Sequence, residues 1–177
     1  MKILSTITQA DIFPGQISTP AKQMGELRQA VRVVLLDKDG KVALGFYPPK
    51  ENYPNEEYEL PGGGVDEGES ITDALARECL EEVGCKIKDV KELGVIKESG
   101  VGKNIKHDQD TYCFMALVDG EKGEPQYTER EKQDLCEVRW MPLNEAFEKI
   151  SNQEPGFSRS RSMICLNEVR TNKPLSR

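Results

Sequence analysis

Apolar and polar positions along this chain fall into short blocks separated by turn residues. Ala30–Leu36 is the clearest apolar block, and Asp37-Lys38-Asp39-Gly40 follows it. Asp and Gly between two apolar runs predict a hairpin, so Lys41–Tyr47 is read as the partner strand. Met1–Thr8 and Glu57–Leu60 predict short strands, and Ile87–Lys97, Thr111–Val118 and Cys136–Met141 predict further ones. Phe13–Pro20 and Pro48–Glu57 read as loops. Ile71–Val83 contains neither Gly nor Pro and reads as a helix. Ser70 is its expected N-cap, Asp73 is placed as in a capping box, and Gly84 suits the left-handed residue that ends a helix. Leu143–Ile150 predicts a second helix and Ser158–Thr171 a third. Hairpin strands mixed with two or three helices predict an α+β or layered α/β/α domain.

The first helix carries the candidate chemistry. Projected at about 100° per residue, Arg77, Glu78, Glu81 and Glu82 share one arc of about 140°. Ala76, Cys79, Leu80 and Val83 lie opposite and are expected to face the core. Glu78 is a surface neighbour of both Glu81 and Glu82, and like charges at that spacing oppose each other by a few tenths of a kcal/mol, roughly. A divalent cation would compensate. Oxygen-only ligands favour Mg²⁺ or Mn²⁺ over zinc. Pro61-Gly62-Gly63-Gly64 precedes the helix, and such glycines let backbone approach a ligand closely. The helix N-terminus beyond them favours anions, so a phosphate could meet cation and backbone together.

Composition narrows the class. Charged residues make up 31% and apolar ones 37% of 177 residues, which suits one globular domain rather than a disordered chain. The longest apolar run, Cys113–Val118, is far short of the ~20 residues of a membrane helix. No secretory segment forms around Ile3, Leu4 and Ile7, and the expected location is cytoplasmic. A net charge of −7 argues against nucleic acid as a partner. Five cysteines without C-x-x-C spacing are read as reduced thiols, with Cys113 and Cys165 in the core. His107, the one histidine, is read as a solvated loop residue. Ser158-Arg159-Ser160-Arg161-Ser162 is read as a capped helix start rather than a nucleic-acid patch, and Trp140 as core.

Gly63, Glu69 and Arg77-Glu78-Cys79-Leu80-Glu81-Glu82-Val83-Gly84-Cys85 resemble the Nudix signature, G-x5-E-x7-R-E-U-x-E-E-x-G-U, where U is bulky and aliphatic. The departures are Cys79 and Cys85 at the two U positions; both are small and apolar, so the core face survives. Glu59-Leu60-Pro61 before the signature, and Val138–Leu143 followed by a helix, extend the resemblance over roughly Ala30–Ile150. The resemblance implies an α/β/α sandwich around a mixed sheet. On it, residues 1–177 are one domain, with 1–29 and 151–177 as terminal extensions.

It also implies a hydrolase that cleaves the diphosphate linkage of a nucleoside diphosphate joined to another moiety, using Mg²⁺ or Mn²⁺. Carried over by position, Glu78, Glu81 and Glu82 are the metal ligands, with a backbone carbonyl from Gly63. Glu69 and Arg77 orient them. One of the three glutamates can also act as base, since close carboxylates push their pKa values apart. In the family the base often comes instead from a loop before the last strand, and Glu131 is the candidate there. The expected partner is a small nucleotide, with no membrane, and a homodimer is left open. Ser99-Gly100-Val101-Gly102-Lys103, downstream of the signature, has neither tyrosine nor the proline of ADP-ribose hydrolases, and the Pro61-Gly62-Gly63 loop lacks the Pro-Ala-Gly form common in ADP-sugar enzymes. Two rivals remain: a nucleotide-sensing domain of the same fold without hydrolysis, and an isopentenyl-diphosphate isomerase, which usually carries an altered signature.

Overall fold

The computed structural model describes residues 1–15, 27–51, 54–101, 107–133 and 136–172, the side chains of Arg130 and Glu131 excepted. Among these residues seven strands form: β1 (Ile3–Thr8), β2 (Arg28–Leu36), β3 (Lys41–Tyr47), β4 (Glu57–Glu59), β5 (Lys86–Val101), β6 (His107–Asp119) and β7 (Glu137–Pro142). The helices are α1 (Gln9–Ile12), α2 (Ile71–Val83), α3 (Glu129–Gln133), α4 (Leu143–Ser151) and α5 (Phe157–Thr171).

The strands make one mixed sheet in the order β1-β5-β6-β2-β3-β4, with β7 also on β3. The β2–β3 hairpin forms as its turn residues predict. The Asp37 carboxylate accepts the N–H groups of Asp39 at 3.0 Å and Lys41 at 2.8 Å, and Gly40 takes φ 74°. β2 does not stop at the hairpin: it runs parallel to β6 from Arg28↔Gln109 to Leu36↔Leu117. β1 joins β5 in parallel at one edge of the sheet.

Alternation along β2 divides the core between two faces. Val31, Val33 and Leu35 pack with Leu75, Cys79 and Val83 of α2. Val34 and Leu36 pack on the other face with Ile150 of α4, Cys165 and Leu166 of α5, and Ile12 of α1. This is an α/β/α sandwich around a mixed sheet, as the signature implies. No described helix is long and apolar enough to cross a membrane.

Several local readings change. α1 and α3 were not foreseen, being too short to show a period; α1 is set by Thr8 and Asp11 in a full capping box. β5 and β6 outrun their expected bounds because three register shifts let β5 continue past Gly94. α5 begins at Phe157 on Gly156, without a side-chain cap, and Arg161 and Ser162 are buried rather than presented at a helix start. His107 opens β6 and is only partly exposed, not a solvated loop residue. Trp140 is partly buried, with the Lys122 ammonium 3.6 Å from its ring centroid. Cys113 and Cys165 are buried core thiols, as expected.

Candidate active site

The segment after β4 is fixed first by backbone. Pro61 and Gly63 accept the N–H groups of Val33 and Val31 at 3.0 and 2.9 Å, and Val65 donates to Gln29 at 3.0 Å. The loop therefore lies along β2 like a short extra strand. Gly62, at φ 137°, has no room for a Cβ, which would sit 2.2 Å from the Val31 carbonyl oxygen.

α2 then starts where the sequence places it. Ser70 Oγ accepts from the Asp73 N–H at 3.1 Å. Asp73 answers by accepting the Ser70 hydroxyl proton at 2.6 Å, which differs from the reciprocal backbone bond of a capping box. Gly84 ends the helix at φ 70°, and the same glycine lets residues 123 and 124 approach, since a Cβ would lie 2.6 Å from their backbone.

The orientation of α2 corrects the projection. Its buried residues are Ala74, Leu75, Glu78, Cys79 and Val83. Ala76 is exposed and Leu80 is 39% exposed, so neither faces the core. The inward arc runs through Glu78 because the glycine loop, not solvent, covers that side. A Cβ on Gly63 would lie 2.2 Å from Glu78 Oε1, and the Gly62 N–H donates to Glu82 Oε2 at 2.7 Å.

Arg77 gathers the remaining acidic groups. Its Nε donates to Glu69 Oε1 at 2.8 Å, and Nη2 donates to Glu69 Oε2 at 3.0 Å and to the Gly64 carbonyl at 2.9 Å. Nη1 donates to Glu78 Oε1 at 2.9 Å and to Glu81 Oε2 at 3.1 Å. The repulsion foreseen among the helix carboxylates is thus relieved in this structure by a guanidinium. One planar, fixed fork can do this and a point charge cannot. Glu69 also accepts the Asp66 N–H at 3.0 Å, so loop and helix are tied through one carboxylate.

The electrostatics follow this geometry. The Arg77 bond, helped by the Asp66 N–H, holds the Glu69 carboxyl down at about 2. Burial pushes Glu78 above its ordinary value, against the pull of Arg77, and the Glu81 charge adds to the rise. Burial, more than carboxylate crowding, therefore separates Glu78 from its neighbours. Arg77 is held more firmly protonated than usual, first by Glu69.

Other groups border the site, and Arg28, Arg32, Gly45 and Tyr47 among them were passed over by the sequence reading. Gly45, Tyr47, Glu59, Leu60, Pro61, Glu82 and Cys136 line a narrow slot beside the helix. Burial, then the charge of Glu59, pushes the Tyr47 phenol up, with Cys136 and Glu82 contributing. Arg28 lies beside Gly64, where a Cβ would come 3.1 Å from its Nη2. Arg32 of β2 stands 3.8 Å from Glu59 at the end of β4. A charged residue inside the apolar run Ala30–Leu36 was the available signal for it.

The loop after β6 is tied to α2 by Gly123 N–H to Gly84 O at 3.0 Å and Gln126 N–H to Glu81 O at 2.7 Å. α3 follows it, but the Glu131 side chain lies outside the described residues, as do Gly102 and Lys103.

Among the described residues, no three Asp, Glu, His or Cys side chains converge as a ready metal cage. Glu78 and Glu81 are drawn to Arg77, and Glu82 to the Gly62 N–H. The donor set still suits a hard divalent cation. It is carboxylate and carbonyl oxygen throughout, and the absence of a Cβ at Gly63 leaves the backbone beside Glu78 clear.

Known proteins carry the same architecture. A NUDIX hydrolase from Nitrosomonas europaea matches with a TM-score of 0.63 at 20% identity, covering 85% of this chain and 94% of that one. A MutT protein from Methanosarcina mazei Go1 matches with a TM-score of 0.55 at 18% identity, covering 86% of this chain and all, 100%, of the other. By sequence, an RNA pyrophosphohydrolase of Wolbachia pipientis subsp. Culex pipiens is 31% identical over 55% of this chain and 56% of its own length. Nudix hydrolase 6 of Arabidopsis thaliana is 32% identical over 63% of this chain and 38% of its own. The chain thus spans about half or less of the length of these two relatives. The NUDIX domain family model matches residues 26–164, and the chain belongs to that family.

Proposed function

We propose that the protein is a divalent-cation-dependent hydrolase that cleaves the diphosphate linkage of a nucleoside diphosphate joined to a further moiety. The observation that carries this reading is the Arg77 fork. It holds Glu69, Glu78, Glu81 and the Gly64 carbonyl in one constellation beside a glycine loop. A binding domain needs no such arrangement of charged groups that restrain one another. A divalent cation, Mg²⁺ or Mn²⁺, would be held by Glu78, Glu81 and Glu82 with the Gly63 carbonyl. When bound it would neutralise the diphosphate and activate water.

The chain's own residues do the rest. Gly63 accepts Val31 N–H through one lone pair and keeps the other for a ligand. Arg77 and Glu69 fix the helix to the loop, so the carboxylates change partners without the backbone moving. Tyr47, Glu59 and Glu82 line a narrow slot over Gly45, next to the carboxylates. Glu131 is proposed as the base. Its helix follows a loop that two backbone bonds hold against the end of α2. Glu131→Gln should then lower kcat with little effect on cation affinity and shift the acid limb of the pH–rate profile; an unchanged profile would return the base to Glu78, Glu81 or Glu82.

A second substrate class is favoured by the relatives named RNA pyrophosphohydrolase, among them one from Sulfurovum that is 27% identical over 83% of its own length. A 5′-triphosphorylated RNA end presents the same kind of phosphoanhydride linkage. The net charge of −7 limits contact to the first few nucleotides. The test is a panel of dinucleotides, nucleotide sugars and 5′-triphosphorylated oligoribonucleotides, assayed with Mg²⁺ for phosphate, pyrophosphate or mononucleotide release. No turnover on any of them, with cation binding intact, would favour a sensing domain.

A further inference from the structure

A second arginine serves the site from behind. Arg32 projects from β2 on the strand position that pairs with Cys113, and its side chain is only 11% exposed. It is poorly satisfied for a buried cation. Nη1 reaches the Val31 carbonyl at 3.3 Å, Nη2 stands 3.8 Å from Glu59 Oε2, and Nε is buried with no hydrogen-bond partner. Burying a charge on such terms is costly, so something must hold it there.

The interior does not. The buried Glu98 is already engaged by Arg161 Nε at 2.7 Å and by Gln109 and Thr111. Arg161 instead repels Arg32, and its own pKa is lowered by burial and then by the Arg32 charge. The compensation comes from the site. Burial lowers the affinity of Arg32 for its proton, yet Glu59, Glu82 and Glu78 more than reverse this, in that order. Arg77 bonds Glu78 and Glu81 directly, whereas Arg32 stands 3.8 Å from Glu59 and against the backbone of Gly62, whose N–H donates to Glu82: a Cβ on Gly62 would lie 3.0 Å from Arg32 Cα.

We propose that Arg32 is a positioning residue, an internal counter-cation that offsets the Glu59, Glu78 and Glu82 charges and so keeps the site's hold on a divalent cation loose. This rests on reading the α2 carboxylates as a cation site. A fixed positive charge behind the ligands opposes an incoming cation, and Glu59 in front of it attracts one. A cluster of five carboxylates, Glu59, Glu69, Glu78, Glu81 and Glu82, partly offset by two guanidiniums then exchanges its cation readily, which suits a site whose anionic substrate brings further oxygen ligands.

The test is calorimetric titration of Mn²⁺ alone into the full chain and into Arg32→Met, Arg32→Lys and Glu59→Gln, with circular dichroism to confirm the fold. Arg32→Met should bind Mn²⁺ about tenfold more tightly and Glu59→Gln about tenfold more weakly, the scale of one unit charge at a partly screened site. Arg32→Lys should stay near the unaltered protein. A purely structural role would weaken binding in both charge-removing variants, so opposite signs are the signature. A folded Arg32→Met that binds Mn²⁺ no more tightly overturns the proposal. If Arg32→Met does not fold, an unchanged affinity in Glu59→Gln overturns it. No Mn²⁺ binding by the unaltered protein overturns the cation reading itself along with it, an outcome distinct from an Arg32 variant without effect.

Discussion

Glu69 and Arg77 meet through two parallel hydrogen bonds, at 2.8 and 3.0 Å, from Nε and Nη2 on one edge of the guanidinium. The same fork spans Glu78, Glu81 and the Gly64 carbonyl. Removing it should release three carboxylates at once. Arg77→Ala is expected to lower turnover by about two orders of magnitude or more. Arg77→Lys should recover little, because an ammonium cannot reproduce the fork. Steady-state kinetics on both variants check this; a lysine variant with near-original kcat would mean that charge alone suffices.

The Glu69 carboxyl, held at about 2 against an ordinary 4.5, gives a pH-dependent contribution to stability. The sign follows from linkage. A depressed folded-state pKa stabilises above the unfolded value, and that stability is lost as pH falls through the folded one. Urea unfolding in EDTA should therefore show Glu69→Gln less stable than the original above about pH 5, with the gap closing between roughly pH 4.5 and 2. A gap that stays constant over that range would show that the Arg77 bond is not its source.

Gly62 and Gly63 are neighbours with different duties. A Cβ on Gly62 meets backbone, at 2.2 Å from Val31 O, so Gly62→Ala should cost stability and lower Tm. A Cβ on Gly63 meets the Glu78 carboxylate, also at 2.2 Å, so Gly63→Ala should displace that side chain and reduce activity far more than Tm. Thermal denaturation and kinetics on the two variants, side by side, would refute the division if the effects were reversed.

The orientation of α2 makes a stability prediction. Leu80 is 39% exposed and Leu75 only 1%. Leu80→Gln should change stability by no more than about 0.5 kcal/mol, whereas Leu75→Ala should cost about 2–5 kcal/mol. Denaturant midpoints settle it, and a large loss at Leu80 would restore the original projection.

What could be read from sequence was what depends on local pattern. The bounds of α2, its Ser70 and Gly84 ends and the β2–β3 hairpin each rest on residues adjacent in the chain. The acidic face of α2 was legible for the same reason, and the signature singled out Arg77 and Glu69. The direction that face takes was not. Ala76 and Leu80 look like core on a wheel, but the wheel has no knowledge of a loop lying along β2 that covers Glu78 and Glu82. Arg32 and Glu59 were missed because their relation crosses from one strand to another. The parallel pairing of β2 with β6 was equally invisible, since nothing local encodes it.

In the proposed activity the α2 carboxylates act through a divalent cation on a diphosphate. The most direct measurement is single-turnover release of mononucleotide from the best substrate of the panel, by the unaltered chain and by Glu82→Gln, with Mg²⁺ and with EDTA. The account predicts Mg²⁺-dependent release by the unaltered protein, abolished by EDTA, and a rate about two orders of magnitude lower in a folded Glu82→Gln. Equal rates in the two proteins, or release that persists in EDTA, would contradict it.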